Sequence, residues 1–351
     1  MKRQIKIVLS SIFFYFGLFH LVRWWNFITG KRVTILTFHR VTGGAGSAGF
    51  TGLPTISISK PNFERLIEFA RKYFTIISQS ELIDLIKEGS RPRHHTLLIT
   101  FDDGYKEVLA NAVPILQKYN LPSVLFVPTF AIDEGDFFWW DATYELFTRP
   151  QCHQYIDDYL KEESDENHIK CLERISAENN GERDRAIFSY LEVLQNSPQK
   201  QREHFISFIR DRFASNGTRH HPDQVMNWSE IVRISSSGVE IGSHTVHHPF
   251  LSTMQPEEVR WELAESKRVL EEKLNGHVDS FCFPGGKYSQ ETLRLVAEAG
   301  YTCAFTTDSG LNATDDDVFS LKRINMWDAV VTRRDGTFSR AITAWTLFLR
   351  H

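Results

Sequence analysis

Two short runs in this sequence gather side chains able to hold a cation and move a proton. Asp102-Asp103-Gly104-Tyr105 follows the apolar run Thr96–Phe101, and Ser243-His244-Thr245-Val246-His247-His248-Pro249 follows Val239–Gly242. His244 and His248, four apart, can face one centre if the segment turns helically. Adding one carboxylate gives a two-His-one-carboxylate site with positions open for water and substrate. A divalent ion there, with zinc the expected metal, lowers the pKa of its water towards ~7. Of the two adjacent aspartates, one would bind the ion and the other stand beside the water as general base. Pro284-Gly285-Gly286, after Ser280–Phe283, offers a backbone N–H for a developing oxyanion, and its glycines permit close approach. His39-Arg40-Val41 follows Ile35–Phe38. Each fragment alone is an ordinary turn or a solvated histidine. Their recurrence after several strand-like runs is what points to a site.

Those runs must then be strands that end on one rim. Arg32–Phe38, Thr96–Phe101, Ser123–Val127, Val239–Gly242, Ser280–Phe283, Thr302–Thr306 and Phe319–Ile324 are short and mostly apolar without alternation, as strands covered on both faces are. Between them lie helical stretches with readable ends: Asn62–Tyr73 behind Pro61, Ser80–Glu88 before Gly89, and Gln290–Ala299 before Gly300. A long charged helix runs from Pro256 to Gly276, with Thr253 as its expected cap. Alternating βα units predict a parallel sheet, open or closed into a barrel, with reactive residues at the C-terminal strand ends. Residues 141–221 break this rhythm. They contain no strand signal but four charged helical stretches, Gln154–Leu160, Ile169–Ser176, Arg185–Leu194 and Glu203–Phe213, and are too long for a loop. The expectation is a helical insertion at 141–221 between barrel segments 31–140 and 222–335. A C-terminal amphipathic helix follows within 336–351, with Ile342, Trp345, Phe348 and Leu349 on one face; packing as the final barrel helix is its expected role and a second membrane contact the alternative.

The first two runs resemble the opening motifs of the polysaccharide deacetylases, the NodB-homology fold of carbohydrate esterase family 4. The first is Thr100-Phe101-Asp102-Asp103-Gly104-Tyr105, and the second runs from Ser243 to Pro249. Leu36–Val41, Phe281–Gly286, Thr306–Asn312 and Phe319–Ile324 add further matches, over roughly Arg32 to Met326 without the insertion. The resemblance implies an α/β fold, a distorted (β/α)7 barrel, and metal-dependent hydrolysis of N-acetyl groups on sugar polymers. Carried over, Asp102 is the base and Asp103, His244 and His248 the metal ligands. Two departures stand out. Phe281 occupies the place of the third-motif Arg that braces the catalytic Asp. No Leu-x-His follows Phe283 to supply the general acid, and the only later histidine is His351. Arg323 is the expected replacement brace and His39 the expected substitute acid. Tyr105, inside the first motif, and Trp140, beside Trp139 and Asp141 at the mouth of the insertion, are candidates for sugar contact. His247 is expected to be structural. The departures keep two other readings open: a catalytically impaired glycan-binding domain, and a small-amide carbon–nitrogen hydrolase on the same fold.

The composition of the 351-residue chain, 42% hydrophobic and 24% charged, excludes a disordered or fibrous protein. The net charge of -4 hides a skew. Residues 1–63 carry eight Lys or Arg and no acidic residue, which leaves the remainder at -12. An acidic body with a basic, apolar front end is not a nucleic-acid binder. It reads as an enzyme attached through residues 1–30 to a membrane of the cell envelope, with the side of the membrane open. Ile7 to Val22 is uncharged and is flanked by Arg23-Trp24-Trp25, but its 16 residues fall short of the ~20 a spanning helix needs. A lone core helix is disfavoured because no polar second face remains, and an interfacial helix fits the paired Trp. The four cysteines form no metal-ribbon or disulfide pattern, and Cys282 and Cys303 read as small buried hydrophobes.

Overall fold

Each apolar run with turn residues at its ends becomes a strand of one parallel sheet. The computed structural model describes residues 2–30, 32–43, 52–134, 138–178, 180–215 and 224–349. In it the main path of the sheet is β1 (Val33–Phe38), β2 (Thr96–Phe101), β3 (Ser123–Val127), β4 (Val239–Ser243), β5 (Ser280–Cys282), β6 (Cys303–Phe305) and β7 (Ile324–Asn325), with the short strand Thr75–Ile76 also pairing β2 and a separate parallel pair of Arg40–Thr42 with Ser57–Ser59. β1, β2 and β3 are buried along their whole length, which is why their sequences do not alternate. The order β7-β1-β2-β3-β4-β5-β6 is parallel throughout, with Leu36 opposite Ile99 and Ile324. At the far edge Leu321 bridges Phe305 in parallel, so the segment carrying β7 touches both the first and last strands and the sheet curls upon itself. This is the expected distorted (β/α)7 barrel.

Two expectations at element ends need correction. The strand expected at Phe319–Ile324 shrinks to Ile324–Asn325 plus the Leu321 bridge. The Asn312 side chain accepts from Lys322 N and donates to Lys322 O, both at 2.8 Å, and so takes the place of a strand neighbour. The Pro256–Leu274 helix is capped by Gln255, whose box partner is Glu258, and not by Thr253, which lies in a preceding turn. Ser78 and Ser289 form capping boxes at Gln79–Lys87 and Gln290–Glu298.

The chain divides into two compact units: Met1–Gly135 with Asp223–His351, and Asp136–Pro222. Among the described residues of the second unit every regular element is helical: Trp139–Thr148, Cys152–Leu160, Glu166–Ala177, Asn180–Asn196 and Gln199–Ser215. Phe147, Tyr159, Tyr190 and Phe205 form its core. The expected far boundary of the insertion, at residue 221, lies outside the described residues.

In the first unit α1 (Lys2–Tyr15) and α2 (Leu18–Ile28) precede β1, and α3 (Arg340–Phe348) ends the chain. Phe13 of α1 packs edge-on to Trp345 of α3 at 5.6 Å, and Phe19 of α2 lies 6.1 Å from Phe348. α3 is buried on nearly every side, so its expected single apolar face is a core helix instead, with Leu349 at its exposed end. No single helix among the described residues is long and apolar enough to cross a membrane. Ile7–Tyr15 and Leu18–Ile28 reach the necessary length only together, bent by 78°.

Candidate active site

The turn after β2 sets the geometry. Asp102 N donates to Phe38 O at 2.9 Å, extending the ladder by one residue, and the chain then turns with Asp103 at φ 74°. Left-handed backbone is costly for a residue with a Cβ, and Thr245 (φ 69°) and His248 (φ 57°) share it. Three strained residues thus meet at one rim, a pattern characteristic of functional sites.

Asp102 is buried and held on both oxygens. Arg323 Nη1 donates to Oδ1 at 2.8 Å and Nη2 to Oδ2 at 2.7 Å. The same guanidinium donates to Thr100 Oγ1 at 3.1 Å, Thr306 O at 2.8 Å and Cys282 Sγ at 3.0 Å, so all five of its N–H groups are placed. Burial by itself raises the Asp102 pKa, but the Arg323 charge and hydrogen bonds outweigh it and hold the carboxyl well below the usual range. Burial lowers the Arg323 pKa and its pairing with Asp102 raises it, with the pairing dominant. His39 Nε2 lies 3.9 Å from Asp102 Oδ2, and its buried Nδ1 has no hydrogen-bond partner.

Asp103 points the other way, towards the histidine loop. Its Oδ1 is 3.5 Å from His244 Nε2 and 3.5 Å from His248 Nε2. The three donor atoms lie within 4.8 Å of one another. An ion about 2.1 Å from each of two ligand atoms at a tetrahedral angle separates them by roughly 3.4 Å. The donor set therefore fits a divalent cation. His244 Nδ1 sits 2.7 Å from Cys282 O. A carbonyl only accepts, so Nδ1 carries the proton and Nε2 presents its lone pair to Asp103. Burial lowers the His244 pKa, and burial with the neighbouring His244 pushes His248 down to about 3. Both rings are thus neutral, as ligands must be.

The pairing of His244 with His248 comes from the left-handed turns and not from the helical turn expected at this spacing. His248 N donates to Thr245 Oγ1 at 3.0 Å, and the loop is pinned to the chain after β3 through Thr129 N to Thr245 O. His247, as expected, faces away. Its Nδ1 is 2.7 Å from Glu262 Oε1, while Glu262 Oε2 accepts from Val246 N and His247 N.

The structure thus brings Asp102, Asp103, His244, His248, Arg323 and His39 together. Pro284-Gly285-Gly286 forms a tight turn after β5 with both glycines at positive φ. A Cβ on Gly286 would strike Thr307 Oγ1. The Gly286 N–H donates to Phe283 O at 2.9 Å, so this N–H is already used by the turn. Tyr105 corrects its expected role: its ring is fully buried beneath the Arg40 guanidinium at 4.8 Å and cannot meet a glycan. Trp140 belongs to the second unit, where its ring stacks on Phe138 at 4.6 Å. Cys282 is the buried core residue that was expected, in one cluster with Cys303 and Phe305, and its sulfur also touches Arg323 and lies 3.7 Å from Asp102. Thr100, which receives Arg323, and Glu262, which fixes the histidine loop, carried no signal in the sequence beyond their neighbourhood.

Comparison with known proteins shows the family and the fold. The sequence profile of the polysaccharide deacetylases matches residues 89–171 and 198–304, more than half of the chain. A Bacillus subtilis relative named as a polysaccharide deacetylase, YxkH, is 18% identical over 296 residues, 84% of this chain and 71% of its own. The fold is similar to that of the Streptococcus pyogenes deacetylase PplD, solved in complex with acetate. Its TM-score is 0.55 at 17% identity, covering 85% of this chain and 93% of that one. IcaB from Ammonifex degensii gives 0.54 at 16% identity, covering 90% and 97%.

Proposed function

The chain belongs to the polysaccharide deacetylase family, and we propose that it is a metal-dependent hydrolase removing N-acetyl groups from an N-acetylglucosamine-containing glycan. The observation that carries this reading is the division of labour between the adjacent aspartates. Asp103 faces two neutral imidazoles, while Asp102 is clamped by a guanidinium. Asp103, His244 and His248 would hold a divalent ion, zinc by their nitrogen-rich donor set. When bound, the ion supplies positive charge that polarises the acetyl carbonyl and makes water more acidic. Asp102, kept ionised and fixed by Arg323, takes the proton from the attacking water. His39 Nε2, close to Asp102 and on the same rim, delivers a proton to the nitrogen of the departing sugar amine. Water and the amide thus yield acetate and a free amine. Arg323, supplied by the last strand segment, performs the bracing that Phe281 cannot, because Phe281 is buried against Phe283 and Tyr301. A domain that only bound glycan would need neither this clamp nor the three-donor set. Residues 1–30 attach the enzyme to a membrane of the cell envelope.

The test is acetate release from N-acetylglucosamine oligomers by metal-stripped protein, then after adding zinc, cobalt or nickel. Metal-restored release supports the proposal. Full release by the stripped protein, or a protein that takes up no metal, overturns it.

A further inference from the structure

The N-terminal helices carry a surface that the deacetylase site does not explain. One side of α1 and α2 is fixed into the first unit through Phe13 and Phe19. The other side presents Leu9, Ile12, Phe16, Leu21, Trp24 and Trp25 to solvent, with Phe16 at 78% and Trp24 at 61% exposure. A contiguous apolar face of this kind marks an interaction surface. α1 and α2 have 14 and 11 residues. At 1.5 Å per residue neither reaches across a hydrocarbon core of about 30 Å. Bent by 78° and docked on α3, they suit a position within one leaflet, with the paired Trp at headgroup depth.

Beside this face lies a cavity of about 490 Å³ with a one-sided charge. Arg23, Lys72, Arg93, His20, His94 and His95 line it, and no carboxylate does. Arg23 Nη2 donates to Tyr73 O at 3.1 Å, but its buried Nε has no hydrogen-bond partner. Among the described residues Arg23, Lys72 and Arg93 form no ion pair with a carboxylate. By contrast Arg40 is neutralised by Glu107 and Arg268 by Glu265. Trp24, half in the cavity wall and half on the apolar face, joins the two features.

We propose that this cavity receives the phosphate of an anionic lipid headgroup while the apolar face of α1 and α2 enters the same leaflet. The inference rests on the membrane attachment proposed above and adds how the protein sits and which lipid it selects. The topology supports it independently. His94 and His95 immediately precede β2, and Asp102 immediately follows it, so the cavity and the catalytic rim lie at opposite ends of a six-residue strand. At about 3.3 Å per residue, the strand places them roughly 20 Å apart. The catalytic rim therefore faces away from the bilayer, towards a polymer beyond the lipid surface, and the phosphate in the cavity is not the substrate.

The experiment is flotation of the full chain with phosphatidylcholine vesicles and with vesicles containing about one-third phosphatidylglycerol, at low and raised salt. The expected result is binding to both, tighter to the anionic vesicles, with that preference screened by salt. Arg23→Gln/Lys72→Gln/Arg93→Gln should lose anionic-vesicle binding by about a hundredfold, from three charges near a charged surface, and keep acetate release from soluble oligomers. Leu21→Ser/Trp25→Ser should weaken binding to both vesicle types. An unchanged lipid preference in the triple variant would overturn the headgroup site and leave attachment standing. So would saturation of the cavity by inorganic phosphate without effect on vesicle binding. Failure to bind either vesicle type would overturn attachment itself.

Discussion

Removing the Arg323 guanidinium should damage both stability and turnover, and the size of the loss follows from its contacts. Arg323 and Asp102 are both almost fully buried, and the guanidinium neutralises the carboxylate through two charge-assisted bonds while anchoring to Thr100, Thr306 and Cys282. Arg323→Met leaves a buried carboxylate without its counter-charge, a loss of about 3–5 kcal/mol. In a unit of this size that lowers Tm by about 10 °C. Arg323→Lys keeps a charge but cannot donate in parallel to both oxygens. A freed Asp102 displaced by about 1 Å should reduce kcat/KM by roughly 10²-fold. The Arg323→Met/Asp102→Asn double variant should recover part of the lost stability, since it no longer buries an unpaired charge. Thermal unfolding together with acetate release from N-acetylglucosamine oligomers reads both effects. Wild-type Tm and kcat/KM in Arg323→Lys and Arg323→Met alike would refute the bracing role.

Three further outcomes are expected. His39→Ala should lower kcat by about 10²-fold with Tm almost unchanged, because the ring makes no strong structural bond; an unaltered rate would remove it as the acid. Cys282 is buried and its thiol is pushed well above the ordinary range, so iodoacetamide should leave it unlabelled in folded protein and label it after denaturation; mass spectrometry showing native labelling would contradict the packing described here. In the second unit, burial raises the Glu163 pKa, but the Asp165 and Ser164 N–H groups, His168 and Tyr159 together bring it below the usual value. A lowered folded pKa stabilises above the unfolded value of about 4.3 and is lost as pH falls through the folded one. Glu163→Gln should accordingly flatten the acid limb of a melting curve taken from pH 7 to pH 3, and parallel limbs would oppose this account.

The sequence made the strands legible because burial on both faces writes continuous apolar runs, and it made the two aspartates and two histidines legible because turn chemistry places them at strand ends. His39 was legible from its place after a strand-like run, but Arg323 was nominated only through resemblance, since nothing in spacing says that a guanidinium 221 residues away will reach Asp102. Tyr105 misled because a tyrosine in a motif looks like a ligand contact, whereas its ring is buried beneath the guanidinium of the Arg40–Glu107 pair. Cys282 is the buried hydrophobe its apolar run announced, but nothing in that run says that its sulfur also meets Arg323. The helical turn expected between His244 and His248 was wrong because Thr245 and His248 adopt positive φ, a conformation their residue types do not advertise. The last strand was overextended because Asn312, a side chain remote from any strand, supplies its missing partner.

The central claim is that Asp103, His244 and His248 bind the metal while Asp102 moves the proton. Metal content and acetate release measured together on Asp102→Asn and Asp103→Ala test it most directly. The account predicts that Asp102→Asn retains stoichiometric metal and loses acetate release, whereas Asp103→Ala loses the metal as well. Release at the wild-type rate by Asp102→Asn, or full metal retention by Asp103→Ala, would contradict it.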